Sequence, residues 1–209
     1  LSGADFKVGK LSGFGTSLDQ VKLQLARKPA AWALQIDSQQ AKGSVSIPDA
    51  KAAPMAINLQ YVRLPAADPT AQADENAPDP LASVDPKKVP ALDLSIDQLF
   101  QGQDLLGPWS LNVRPTAKGM AFNNLDLGLK GMVLKGAGGW EGVPGATSSW
   151  YKGRLSGKNL ADVLKGWGFA PTVTSESFHL DVDGRWSGSP AGVGLKRYSG
   201  SLDATLRKG

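Results

Sequence analysis

The 209 residues contain no cysteine, which excludes disulfide frameworks and thiolate metal sites but fixes no compartment. No stretch of about 18 apolar residues is present, so nothing reads as a membrane-spanning helix. The start Leu1-Ser2-Gly3 lacks the basic-then-apolar pattern of a secretion signal. Without an initial Met, and with an end at Lys208-Gly209, the sequence reads as a segment of a longer chain, any anchor or targeting signal lying outside it. Charge of one sign is not massed either. Lys and Arg number 23 against 19 Asp and Glu, scattered for a net +4, and no nucleic-acid partner is implied. What is plentiful is punctuation: 25 Gly and 14 Pro beside 41% hydrophobic residues point to a folded protein with many turns rather than a helix bundle.

The dominant pattern is alternation, which sends every second side chain to one face of a β-strand. Val21, Leu23 and Leu25 alternate with Lys22 and Gln24; Trp32, Leu34 and Ile36 follow, then Val45 and Ile47, then Ile57, Leu59 and Tyr61. Lys28-Pro29, Gln39-Gln40 and Pro48-Asp49 separate them, as an antiparallel meander with short turns requires. Over 66–89 the alternation stops, and Asp68-Pro69, Asp74-Glu75-Asn76, Pro78-Asp79-Pro80 and Asp85-Pro86 replace it. That acidic, proline-broken stretch reads as a mobile insertion outside any packed core. A single β-segment, 1–209, carries it.

Strand signals resume at Leu92, Leu94 and Ile96, and continue through Trp109, Leu111 and Val113, then Leu125, Leu127 and Leu129, Val133 to Trp140, and Tyr151 to Leu155. Asn159 caps a short helix over Leu160 to Trp167; it reads as a plain end cap of the sheet, or as a lid, plug or membrane-touching element, because Trp167 and Phe169 lie near Lys158 and Lys165. Phe178, Leu180 and Val182 lead to Trp186, and Leu202, Ala204 and Leu206 close the series. The expected fold is mainly β: a large, curved antiparallel sheet of about eleven strands, open as a groove, with one short helix. One face is apolar. The other carries Lys22, Gln24, Gln35, Asp93, Ser95, Asn112, Asp126, His179, Asp181 and Asp183. Periodicity leaves two outcomes open for the apolar face: a sealed sandwich or barrel core, or an open trough able to accept acyl chains.

The run Pro90-Ala91-Leu92-Asp93-Leu94-Ser95-Ile96-Asp97-Gln98-Leu99, then Leu106-Gly107-Pro108-Trp109-Ser110-Leu111 and Arg114-Pro115, resembles the late segment of YhdP-type AsmA-like envelope proteins. Gly139-Trp140, Asn159-Leu160-Ala161-Asp162-Val163-Leu164, Gly168-Phe169 and Trp186-Ser187-Gly188-Ser189-Pro190 continue the likeness, and Trp32-Ala33-Leu34-Gln35-Ile36-Asp37-Ser38 and Tyr61-Val62-Arg63-Leu64-Pro65 extend it upstream. These are structural words for strands and turns, with no catalytic signature. The resemblance implies the periplasmic part of an inner-membrane-anchored protein, built as a long β-groove that moves phospholipid toward the outer membrane. It implies phospholipid as cargo, an anchor outside this chain, and an outer-membrane or envelope protein as a further partner.

The lining residues expected on that basis are Val21, Leu23, Leu25, Trp32, Leu34, Ile36, Ile57, Leu59, Leu94, Ile96, Leu111, Val113, Leu127, Leu129, Leu180 and Val182. No enzyme, metal or cofactor is expected. His179, Asp181 and Asp183 are spaced about 6.6 Å apart along one strand face and do not converge on a metal or a substrate atom. Gly136, Gly138 and Gly139 match no phosphate-loop spacing and read as a turn or bulge. Trp140 and Trp150, beside loops, are expected to face water, and Trp32 and Trp109 to join the core or lining.

Overall fold

The computed structural model describes residues 3–13, 16–66, 79–192 and 197–207, with residues 10–13 and 16–18 described by their backbone alone. The first meander comprises β1 (Gly3–Gly13), β2 (Thr16–Lys28), β3 (Ala31–Asp37), β4 (Ala41–Pro48) and β5 (Met55–Leu64). The second comprises β6 (Leu92–Gln101), β7 (Asp104–Pro115), β8 (Gly119–Gly128), β9 (Met132–Val143), β10 (Ala146–Lys158), β11 (Ser177–Ser187) and β12 (Tyr198–Arg207). Between β10 and β11 lies the helix α1 (Leu160–Gly166). Asn159 caps it by accepting the Asp162 N–H, and Trp167 takes the C-cap.

All twelve strands form one open sheet in sequence order, with β1 and β12 as its edges. The mainly β fold expected from alternation is therefore what the chain adopts, with two departures. There are twelve strands rather than about eleven, the extra one being β1. The sheet is also not wholly antiparallel, since β5 and β6 run parallel, Met55 beside Leu92 and Leu64 beside Gln101. A parallel neighbour demands a return along the full strand length, and residues 65–91 supply it. Adjacent strands rotate by about 20–25°, so the eleven junctions accumulate more than half a revolution and a flat ribbon is excluded.

Local chemistry sets the turns. Lys130 and Gly131 both have positive φ, 46° and 90°. Leu129 and Met132 exchange backbone hydrogen bonds around them, at 2.8 and 3.2 Å, as a two-residue primed hairpin requires. Leu129 therefore lies at the hairpin, one residue beyond β8, rather than within a strand.

Of the expected insertion at 66–89, residues 67–78 lie outside the described residues, and the rest behaves differently from its composition. Residues 79–91 form a strap, with a 3-10 turn at Pro86–Lys88, that crosses one end of the sheet. Leu81, Val84 and Val89 pack on the buried cluster Val113, Met120 and Trp140, so this half is corrected from outside the core to part of it. Three apolar side chains suffice where a ready-made sheet face receives them.

Candidate functional site

Strand register decides which side chains share a face, since directly paired residues point the same way. One row runs across the whole sheet: Phe6, Leu23, Ile36, Gly43, Leu59, Ile96, Trp109, Leu127, Leu134, Leu155, Leu180 and Ala204, each paired with the next. A second row begins Ala4, Leu25, Leu34, Val45, Ile57, Leu94 and Leu111. Irregular pairing does not break the rows. At the β7–β8 register shift between Ser110 and Asn112, Asn124 adopts φ 52° and absorbs the extra residue as a bulge does.

Fifteen of the sixteen expected lining residues are strand residues on this face, and Leu129 continues it at the hairpin. Val21, Ile96 and Val113 are buried, while the other thirteen are partly exposed. Val113 belongs to the cluster under the strap. The same rows include Phe6, Val45, Leu134, Leu155 and Leu202, which were not among the expected lining residues. Alternation marks Val45, Leu155 and Leu202; Phe6 sits among glycines in β1 and carries no comparable signal.

Between β9 and β11 the face changes texture. Gly136 pairs with Gly153 in the middle of it, and Gly138 faces Phe122 and Leu125. These glycines sit inside β9 rather than in a turn, and Gly136 and Gly138 stand opposite the β8 bulge between Phe122 and Leu125. The Tyr151 ring lies over Gly153, where an added Cβ would stand 2.3 Å from Tyr151 Oη. Tyr151 Oη donates to the Lys135 carbonyl at 3.0 Å, and burial pushes the phenol pKa up to about 12. Trp140, expected to face water, is only 3% exposed, because the strap covers the loop end beside which it sits. Its indole N–H has no partner.

The opposite face is a polar row: Gln24, Gln35, Ser44, Asn58, Ser95, Ser110, Asp126, Lys135, Arg154, Asp181 and Asp203. Its charges neutralise one another across strands. Lys135 meets Asp126 at 2.8 Å, Lys152 meets Asp183 at 2.8 Å and Arg154 meets Asp181 at 2.6 Å. The Arg154 hydrogen bond holds the Asp181 carboxyl below its ordinary pKa. A depression of about 430 Å³ on this face is lined by those same pairs, so it offers no uncompensated cation to an anionic ligand. His179 stands 4.0 Å from Asp181, and no cluster able to hold a metal ion is present among the described residues.

The two strand ends of the second meander differ. At one end the strap is clasped to β11's exit: Asp79 accepts from Ser189 N–H at 2.6 Å and from Ser189 Oγ at 2.5 Å, and Gly145 N–H donates to Ala82 O at 3.1 Å. Burial raises the Asp79 pKa, but the Ser189 and Leu81 hydrogen bonds and the Arg197 charge outweigh it and leave the carboxyl below its ordinary range. At the other end stands α1, with Val163 buried near Gly131. No helix among the described residues is long and apolar enough to cross a membrane. Compared with known families, the chain matches the family described as YhdP protein over residues 2–209. No curated protein and no solved structure matches it.

Proposed function

Because the chain belongs to the YhdP protein family, we propose that it is a segment of a lipid-transfer conduit whose apolar face shields phospholipid acyl chains between the inner and outer membranes. The observation that supports this is the row of paired apolar positions crossing twelve strands, with thirteen of the sixteen lining candidates still partly exposed. Strands about 4.8 Å apart make this face about 50 Å wide, and each methylene hidden on it gains about 0.8 kcal/mol. Sliding along such a face calls for no bond making, and this role is non-enzymatic.

On this reading the chain is the periplasmic part of a protein anchored elsewhere in the inner membrane, with a protein of the outer membrane or envelope as a further partner. The self-neutralised polar face suits water. A second reading, a structural or partner-binding domain with a closed core, draws on the buried cluster Val113, Met120 and Trp140. That cluster occupies one end of β7–β9 with Leu92 of β6 packed on it, and the aliphatic rows of β2–β5 are not part of it.

A photoreactive benzoylphenylalanine at Leu34 or Leu94, against Gln35 or Ser95 as next-door controls on the opposite face, separates the readings in cells. Phospholipid adducts are expected from Leu34 and Leu94 alone. Equal labelling from both faces, or none from either, would sink the conduit and leave the closed domain.

A further inference from the structure

Large apolar side chains that remain exposed are unevenly placed. Ten such side chains stand out among the described residues, and six of them gather at the end of the sheet where α1 sits: Leu64, Leu105, Trp167, Phe169, Val173 and Leu206. Register puts them at that one end in two groups. Leu64 pairs with Gln101 and Leu105 with Phe100, at the finish of β5 and β6, while Leu206 pairs with Phe178 and Lys158 with Ser177, beside α1. At the strapped end, among the described residues, only Ile47 and Val143 are comparably exposed.

The most prominent are in the connection from α1 to β11. Phe169 is 64% exposed and Trp167 and Val173 are each 40% exposed, within a stretch that has no regular structure after the Trp167 cap. Lys158 and Lys165 precede it and are exposed. Of the nearby acids, Asp162 is engaged by the Asn159 amide, and Glu176 lies at the far end of the connection. An exposed Trp and Phe close after two lysines have the composition that settles at the boundary of headgroup and acyl chain: the rings enter the hydrocarbon and the ammonium groups stay with phosphates. Isolated exposed apolar residues need no explanation, whereas a rim of six at one end does.

We propose that the α1 end of the sheet docks on a phospholipid surface, with Trp167 and Phe169 as the inserted anchors. The assignment rests on the conduit reading in one respect. The apolar rows run across the strands from β1 to β12, so tails held on them can enter or leave over the strand ends, and at β7–β9 the strap covers one of those two sides over Val113, Met120 and Trp140. The α1 rim then places a membrane along the strand ends that the strap leaves uncovered.

The test is flotation of the purified chain with vesicles of phosphatidylethanolamine and phosphatidylglycerol. A Trp167→Ser, Phe169→Ser double variant is compared with an Ile47→Ser, Val143→Ser variant altered at the strapped end. The first pair is expected to lower vesicle binding about tenfold or more and the second to leave it unchanged. In parallel, lipid adducts from benzoylphenylalanine at Leu94 are measured with phospholipid presented in detergent micelles, which bypasses docking. Adducts retained in the double variant while flotation is lost bear the proposal out. Adducts without flotation of the unaltered chain overturn the docking and leave the conduit standing; flotation sensitive to the rim, without adducts, supports the docking while the conduit fails. Equal flotation of both variants overturns the assignment of the anchors. A concentration-dependent dimer that the double variant abolishes, with no vesicle binding, gives the rim to a second copy of the chain and overturns the lipid assignment.

Discussion

Tyr151 can lie across the sheet only because residue 153 has no side chain. An added Cβ at Gly153 would stand 2.2 Å from the Lys135 carbonyl oxygen, a backbone atom held by the β9–β10 pairing and unable to move aside. Gly153→Ala is therefore expected to cost about 1–3 kcal/mol, read as a lower urea midpoint, and an unchanged midpoint would show the ring and strand to be freer than drawn. Removing Tyr151 as well recovers none of the clash with Lys135. The Tyr151 phenol, raised by burial from 10.0 to about 12, contributes stability that is complete below the ordinary tyrosine value and is lost as pH rises toward 12. Tyrosinate absorbance should show one late-titrating phenol that Tyr151→Phe removes. Asp79 has the opposite sign. Its carboxyl lies below the ordinary 3.8, so the clasp on Ser189 is intact above that value and is lost as pH falls through the lower folded one. Acid should speed amide exchange in 79–91 before it melts the strands, and Asp79→Asn should make that segment's exchange fast already at neutral pH.

The strap and β1 are the elements that reading residues in order did not find, for separate reasons. Eleven strands announce themselves by alternation, and α1 by Asn159 and its apolar spacing, because those signals lie within a few consecutive residues. In β1, Gly3, Gly9 and Gly13 dilute the alternation of Ala4, Phe6 and Val8, and only pairing with β2 makes a strand of it. Leu81, Val84 and Val89 follow neither helical nor strand period. Their burial depends on Val113, Met120 and Trp140, which come 24 or more residues later, so no local pattern encodes it. The parallel β5–β6 junction is likewise silent, since alternation reads the same in either direction. The apolar face was legible from alternation, and what remained hidden was how the strap covers one end of it. Val84→Asp places a carboxylate against that cluster without a partner. It is expected to destabilise the strap by about 2 kcal/mol or more and to shift Trp140 emission to the red. A blue, unshifted spectrum would mean that the strap does not exclude water from Trp140.

At the scale of the whole sheet, each strand touches the strands beside it, and the main additions are the 3-10 turn of the strap against β8 and β9 and α1 against β10. Stability in such an arrangement is close to a sum of neighbour terms, as in repeat proteins, so it is not shared evenly. The second meander has the strap, the Asp79–Ser189 clasp spanning 110 residues and the only buried hydrophobic cluster among the described residues. The first meander has its ladders and a few side-chain bonds within itself, such as Arg27 to Asp49 and Tyr61 to the Ser38 carbonyl, and β1 and β12 are each paired on one side only. Native-state hydrogen exchange is therefore expected to show protection highest in β7–β10, lower in β3–β5 and lowest in β1 and β12, with the first meander opening at less urea than the second. Uniform protection and a single sharp transition would contradict this, because they require long-range coupling that nearest-neighbour strands do not supply. On the proposed conduit reading, a gradient of this kind has a bearing on transport. The aliphatic rows of β2–β5 would lie in the part of the sheet that opens most readily, where tails can enter or leave between strands without unfolding the strapped half.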